Sequence, residues 1–404
     1  MLHEVSGCGT AHEGAVGNVA AEGKRTDAMR FLHTGDWQIG MPAHFLKDDD
    51  ARFRFNAARI EAIRTLTALA AAQNCDFIAV AGDVFDTNRL SAQILGRALE
   101  AMADSPVPIY LLPGNHDCLE AWNVYQNPAF ARHADRIRVL TDAGLHDAPG
   151  GQIAAVPWPS KRPGRDLVAQ TLAGLPPTPP DTPRILLGHG QLDTLQPDRV
   201  AAETISSTAL RAALDGGIIH FAALGDRHIL TDAGIGGRVW FAGTPEPTDY
   251  VETEPGFALV VDVDADGPPK VTPHKVSTWT FEDMHADVNG IGDVEALAAR
   301  LQAMPAKDRT AVRLAMTGTL TLAADAELQL ALDEARPVFA ALEVWKSHTD
   351  VAVLPDDGDM TKLNLTGYAA DAAETLKATT AADGPNTGAA QAALGLLYRL
   401  AVSA

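Results

Sequence analysis

Five apolar runs in this chain stop at a glycine, and each glycine is followed at once by a residue that can bind a cation. The stretches are "HTGDWQ" at 33–38, "AGDVFD" at 81–86, "LPGNHD" at 112–117, "LGHG" at 187–190 and "LGDRH" at 224–228. A continuous apolar run of this length predicts a strand buried on both faces. Between the runs lie helical patterns: "ARIEAIRTLTALAAAQ" places Ile60, Ile63, Leu66 and Leu69 at helical spacing, and "SAQILGRALEAMAD" begins with Ser91 as N-cap. Strands alternating with helices predict an α/β domain. In such sheets ligands bind beyond the carboxyl ends of the strands, so the five ends point into one crevice.

A lone Gly-Asp after a strand is usually only a turn. Five in one order are a different matter. Asp36 with Gln38, Asp83 with Asp86, the crowded Asn115-His116-Asp117, His189, and Asp226 with His228 are the candidate groups. In extended backbone, residues i and i+2 face one side, which lets Asp36/Gln38 and Asp226/His228 each present two donors to a point. Plainer readings fit other residues. His33 and His220 are expected as satisfied core histidines, Cys118 as packing, and "KDDD" at 47–50 as a solvated loop.

Mixed carboxylate, imidazole and amide donors without thiolate suit Mn²⁺, Fe²⁺ or Zn²⁺. Two such ions could share one bridging carboxylate, best assigned to Asp83, and act on a phosphoryl group. His116 need not be a ligand; it can protonate the leaving oxygen or stabilise the transition state.

Composition sets the outer limits. At 404 residues there is room for two or three domains, and 46% hydrophobic with 21% charged content is that of a soluble globular protein. No apolar stretch approaches the roughly 18 residues of a membrane span. Three cysteines (Cys8, Cys75, Cys118) are too few for a disulfide framework, which points to a reducing cytoplasm. The net charge of −20 argues against a broad nucleic-acid coat but permits a small local basic patch.

Residues 1–28 lack periodicity and read as a disordered tail or a misannotated start. The α/β domain is expected over 29–270. Shorter strands around "VEALAARLQAM" suggest a smaller α+β domain over 271–356, and "GAAQAALGLLYRLAV" a helical end within 357–404.

The order "GDWQ", "GDVFD", "GNHD", "GHG", "GDRH" resembles the calcineurin-like metallophosphoesterases. Together with "HTGDWQIG", "LLPGNHD" and "FAGTPEP", it is most similar to the SbcD-type DNA repair exonuclease group. The resemblance covers about residues 30–260. It implies an αββα sandwich with a capping domain and a dinuclear centre, usually manganese. Asp36, Asp83 and His228 would surround one ion, with Gln38 where the family has histidine. Asp83, Asn115, His189 and Asp226 would surround the other, and His116 would be catalytic. DNA as substrate, an SbcC-type coiled-coil ATPase as partner and a possible homodimer are further implications.

Two positions depart from the family pattern. Gln38 replaces the histidine of Asp-x-His, and Asp226 the first histidine of Gly-His-x-His. Both still offer oxygen to a cation. Asp226 adds negative charge, favouring harder cations and raising the pKa of bound water. The leading expectation is a metal-dependent phosphodiesterase acting on DNA. The others are a hydrolase of small phosphodiesters or nucleotides, and a non-catalytic scaffold regulating an ATPase.

Overall fold

The computed structural model describes residues 28–196, 198, 201–354, 366–382 and isolated positions between 386 and 397. The expected tail before residue 28, and most of the helix expected at 388–402, lie outside the described residues.

In chain order the first unit contains β1 (Met29–Thr34), α1 (Asp49–Ala72), β2 (Phe77–Val80), α2 (Ala92–Ala103), β3 (Ile109–Leu111) and β4 (Ile137–Val139). Then come β5 (Gly144–Ala148), β6 (Gly151–Ala155), α3 (Leu167–Gly174), β7 (Arg184–His189), α4 (Ser207–Asp215) and β8 (Phe221–Gly225). It closes with β9 (Thr231–Asp232), β10 (Val239–Phe241), β11 (Phe257–Val263) and β12 (Lys270–Lys275). These form two six-stranded sheets, ordered β12-β11-β1-β2-β3-β4 and β5-β6-β7-β8-β10-β9. In each, the central strands are parallel and an antiparallel partner sits at the margin.

The apolar runs explain the layering. Side chains alternate across a strand, so a run apolar at every position must be covered twice. On β1, Leu32 faces α1 and α2 with Ile63, Leu66, Leu99 and Met102, while Phe31 faces the other sheet with Phe77, Ile185 and Phe221. The second sheet packs its outer side on α3 and α4 through Val168, Leu172, Leu210 and Leu214. The order of layers is helix, sheet, sheet, helix, the expected αββα sandwich.

Two local expectations change. The acidic run at 47–50 is the start of α1 rather than a loop: Asp48 Oδ1 accepts the Ala51 N–H at 2.7 Å, and Asp49 and Asp50 occupy the first turn. Carboxylates there complement the helix dipole. The first sheet also continues through β12 to Lys275, past the boundary expected at 270.

A third, four-stranded sheet follows: β13 (Thr280–Val288), β14 (Thr310–Thr321), β15 (Ala341–Val344) and β16 (Asp350–Leu354), with α5 (Ile291–Ala303) and α6 (Leu322–Ala335). Every pairing in it is parallel, so the helices serve as crossovers between its strands. A last helix, α7, spans Tyr368–Ala381. The third sheet seats on the first unit through an aromatic cluster: Phe55 of α1 lies 5.1 Å from Trp279 and 5.6 Å from Phe281 between ring centroids. Buried Glu246 fixes the junction, accepting the N–H groups of Thr278 and Trp279 and the Thr278 hydroxyl at 2.7–3.0 Å. Among the described residues no helix is long and apolar enough to cross a membrane.

Candidate metal centre

Asp36 follows β1, Asp83 follows β2, Asn115 and His116 follow β3, His189 ends β7, and Asp226 and His228 follow β8. Because β1 to β3 and β7 to β8 run parallel within their sheets, their carboxyl ends share an edge, and the two sheets bring these edges together. His189 Nε2 is 3.5 Å from Asp83 Oδ1 and 3.6 Å from Asp226 Oδ1, and its Nδ1 is 4.0 Å from Asp36 Oδ1. His228 Nε2 is also 4.0 Å from Asp36 Oδ1. The Gln38 amide donates to Asp83 Oδ2 at 3.1 Å, and the Asn115 amide lies 2.7 Å from His189 Nε2. All seven candidate ligands therefore converge, and donor atoms of Asp36, Asp83 and His189 lie within 4.8 Å of one another.

The local backbone differs from the extended form expected. Asp36, Gln38, Asp83 and Asp226 have φ of 52°, 49°, 50° and 93°. These are left-handed values that non-glycine residues rarely adopt. Four such residues in one site mark stored strain, which persists only where the surroundings impose it. Here backbone bonds do so: the N–H of Asp36 donates to Gly82 O and that of Gln38 to Asp83 O, both at 3.0 Å. The side chains converge because the turns curl inward, not because i and i+2 share a strand face. Glycine is required in the same turns. A Cβ on Gly82 would lie 2.2 Å from His189 Nδ1, and one on Gly114 would lie 2.3 Å from Asp83 Oδ1.

Protonation follows from the partners. His189 Nδ1 sits 2.8 Å from the carbonyl of Ala81. A carbonyl only accepts, so Nδ1 carries a proton, and Nε2, turned toward Asp83 and Asp226, is the nitrogen freed when the ring becomes neutral. With Nε2 bare, Asn115 meets it through its NH₂ group, the orientation that also reaches Asp83. Burial disfavours the charged imidazole, but Asp83, Asp226 and Asp36 outweigh it and lift His189 to about 9. Asp36, with no exposed surface, is raised to about 7 by burial despite His228 and His189. No lysine or arginine is paired with Asp36 or Asp83 among the described residues. Buried carboxylates that hold imidazoles protonated, with no lysine or arginine beside them, have the donor chemistry of a divalent-metal site, where a cation takes the place of those protons.

His228 shows a support that the sequence did not reveal. Its Nδ1 lies 2.8 Å from Glu252 Oε1 and 2.7 Å from the Thr248 hydroxyl, and Thr248 is itself bonded to Glu252. A carboxylate on the far nitrogen fixes a metal-ligating imidazole's tautomer and raises its basicity. Burial opposes the charged ring, yet Glu252 and Asp36 bring His228 to about 9. Gln191, just past the "GHG" turn, donates to Asp226. Neither contact has a local signal, since Glu252 and Gln191 lie in loops without a motif.

Asp117 has another task. Fully buried, it accepts Gly114 N–H at 2.7 Å, Phe85 N–H at 3.1 Å and the Tyr125 hydroxyl at 2.6 Å, tying the "GNHD" turn to the "GDVFD" turn. Arg59 of α1 does the same elsewhere, donating to the carbonyls of Trp37 at 2.7 Å and Pro247 at 3.0 Å. His33 is buried, with Nε2 3.2 Å from Leu224 O but Nδ1 without a hydrogen-bond partner among the described residues, and His220 is only half-buried, its Nδ1 accepting the Arg184 N–H at 2.9 Å; neither is the fully satisfied core histidine expected. Cys118 is buried.

His116 stands apart from the converging donors. Its ring is exposed, Nδ1 lies 3.0 Å from Asp86 O, and Nε2 is 4.0 Å from Asp83 Oδ2. Its backbone N–H donates to Asp83 Oδ1 at 2.9 Å, so ring and carboxylate are placed by one turn. Beside it opens a cleft of about 660 Å³.

An αββα sandwich with a cluster of acids and histidines across its parallel strand ends defines a metal-dependent hydrolase class. Residues 29–229 match the family of calcineurin-like phosphoesterases, and this part of the chain is a calcineurin-like metallophosphoesterase domain. The family implies metal-dependent phosphoester hydrolysis. Among solved structures, the protein TT1561 of Thermus thermophilus is 13% identical, with a TM-score of 0.38 over 62% of this chain and 99% of that one. A dimetal phosphatase from Danio rerio is 11% identical, with a TM-score of 0.34 over 60% and 98%. Among curated proteins none matches the chain.

Proposed function

We propose that the protein is a phosphodiesterase acting on DNA through two divalent ions, with manganese the first choice. The observation that carries this reading is the convergence of seven donors beneath one exposed imidazole, His116. Asp36, Asp83 and His228 would hold one ion with Gln38 beside it, and Asp83, Asn115, His189 and Asp226 would hold the other. Such ions, when bound, would supply a water of lowered pKa and counter-charge for the phosphoryl oxygens.

The side chains do the rest. With Nδ1 anchored at Asp86 O and Nε2 4.0 Å from Asp83 Oδ2, His116 stands between the cluster and the cleft it lines, where it can protonate the leaving oxygen. Glu252 and Thr248 keep the His228 ring in one orientation. Gln38 and Gln191 each donate to a carboxylate of the cluster, so both departures from the family pattern are integrated into the hydrogen-bonded network. That supports retuning of the centre over its loss.

DNA is favoured by local charge. In a chain of net charge −20, the exposed residues Lys161, Arg162 and Arg165 cluster in one loop, and Lys161 lines the cleft at His116. Lys and Arg at a cleft mouth suit a phosphate backbone. The motif order supports an SbcC-type ATPase as partner.

With Mn²⁺, the purified protein should cleave linear DNA and bis-p-nitrophenyl phosphate. Asp83→Ala should lower turnover more than 1000-fold (about 10³ or beyond for a lost bridging ligand) and release metal. His116→Ala should cost about 100-fold in kcat with metal content retained. If neither substrate reacts, with or without the partner ATPase, the reading is wrong.

A further inference from the structure

The cleft beside His116 holds an unusual side chain for such a place. Trp122 is 65% exposed, yet it sits in a wall shared with Arg89, Lys161 and Asn88. An indole left in water forgoes the burial that large aromatics normally gain. Its loop is nevertheless firmly held. Asn88 accepts the Val124 N–H at 3.0 Å and donates to Cys118 O at 2.9 Å, bracing the segment on both sides of Trp122. Leu119 N–H donates to Trp158 O at 2.9 Å, and Asn123, buried, donates to Glu120 O at 2.9 Å. An exposed flat ring on a rigid mount, flanked by two cations, is a preorganised stacking surface.

Resting on the reading of the site as a DNA phosphodiesterase, we infer that Trp122 is a stacking platform for a nucleobase of the cleaved strand, with Arg89 and Lys161 receiving the adjoining phosphate. The cleft volume of about 660 Å³ accommodates a nucleotide, and its wall carries two cations and His116 against one acid, Glu120. Every base has a π-face, so the subsite tolerates any sequence. A base paired within a duplex has both faces covered by its neighbours. The platform therefore selects an unpaired nucleotide beside the scissile bond, as in a single strand or a frayed end.

The test uses the Mn²⁺-loaded full chain and a single-stranded oligonucleotide. Trp122→Ala should raise KM about tenfold with kcat changed less than about twofold, and Trp122→Phe should restore most of the loss. An abasic residue next to the scissile bond should raise the wild-type KM by the same factor and add nothing in Trp122→Ala. Equal KM for wild type and Trp122→Ala, or independent multiplication of the two effects, overturns the proposal. A second arm needs no catalysis: in EDTA, dAMP should quench tryptophan fluorescence in wild type and not in Trp122→Phe. If no DNA is cleaved, the phosphodiesterase reading fails, and the quenching arm still decides: quenching lost in the variant supports the platform, and quenching unchanged overturns it.

Discussion

Asp36 and His189 show how a carboxylate and an imidazole become useful by being placed badly for stability. Both are buried with no lysine or arginine paired to Asp36 among the described residues, so the metal-free site keeps protons it would lose in water. His189 and His228 have folded-state values near 9 against 6.5 unfolded, and Asp36 near 7 against 3.8. A value raised in the fold means that the folded state binds protons more tightly. The stabilisation is full below the unfolded value and disappears as pH rises through the folded one. In EDTA, the melting temperature should therefore fall between about pH 6.5 and 9, with Asp36 adding to the loss up to about pH 7. Divalent metal should reverse the trend, because binding displaces those protons. Scanning calorimetry at pH 6.5 and 9, with and without Mn²⁺, checks the sign. Glu252 belongs to the same scale. Glu252→Gln keeps the shape but removes the charge behind His228, and should weaken metal affinity about 10- to 100-fold by titration.

At the scale of elements, α1 is the clearest lesson. Its capping residue is Asp48, and Asp48→Ala should cost about 1 kcal/mol in urea unfolding while leaving the chemistry intact. The apolar periodicity marks the helix only from residue 58, but it begins at Asp49 because three acids suit a helix start as well as a loop. The five ligand-bearing turns are legible for a different reason. An apolar run, a glycine and a donor are all local, so each announces itself within six residues. The backing of His228 is not legible, since Glu252 lies 24 residues away on a loop with no periodicity. The strand character of β12 can be read, but its place at the edge of the first sheet cannot, because its side chains are largely exposed and carry no sign of which strand they pair with. The parallel order of the third sheet is hidden too, since strand and helix patterns do not specify which strands pair.

Across the whole molecule, charge is distributed against its net sign. Fifty-two acids and thirty-two basic residues leave −20, yet Lys161, Arg162 and Arg165 crowd one exposed loop beside the cleft. If that loop contacts DNA phosphates, association depends on salt through these residues. Lys161→Glu, Arg162→Glu and Arg165→Glu together should raise KM for DNA and flatten its dependence on log salt by about 0.7–0.9 per lost contact. Steady-state kinetics from 50 to 200 mM salt (roughly the range in which such contacts are lost) would read both effects.

The left-handed turns at Asp36, Gln38, Asp83 and Asp226 bear on how this chain could be engineered. Glycine at any of them relieves backbone strain of roughly 1–3 kcal/mol, and at the three aspartates it also removes a carboxylate from the metal-free core. A laboratory selection for heat resistance alone would thus be drawn to these four codons first. The survivors would be sturdier proteins stripped of their chemistry, and a screen for thermal tolerance must carry activity as a second criterion.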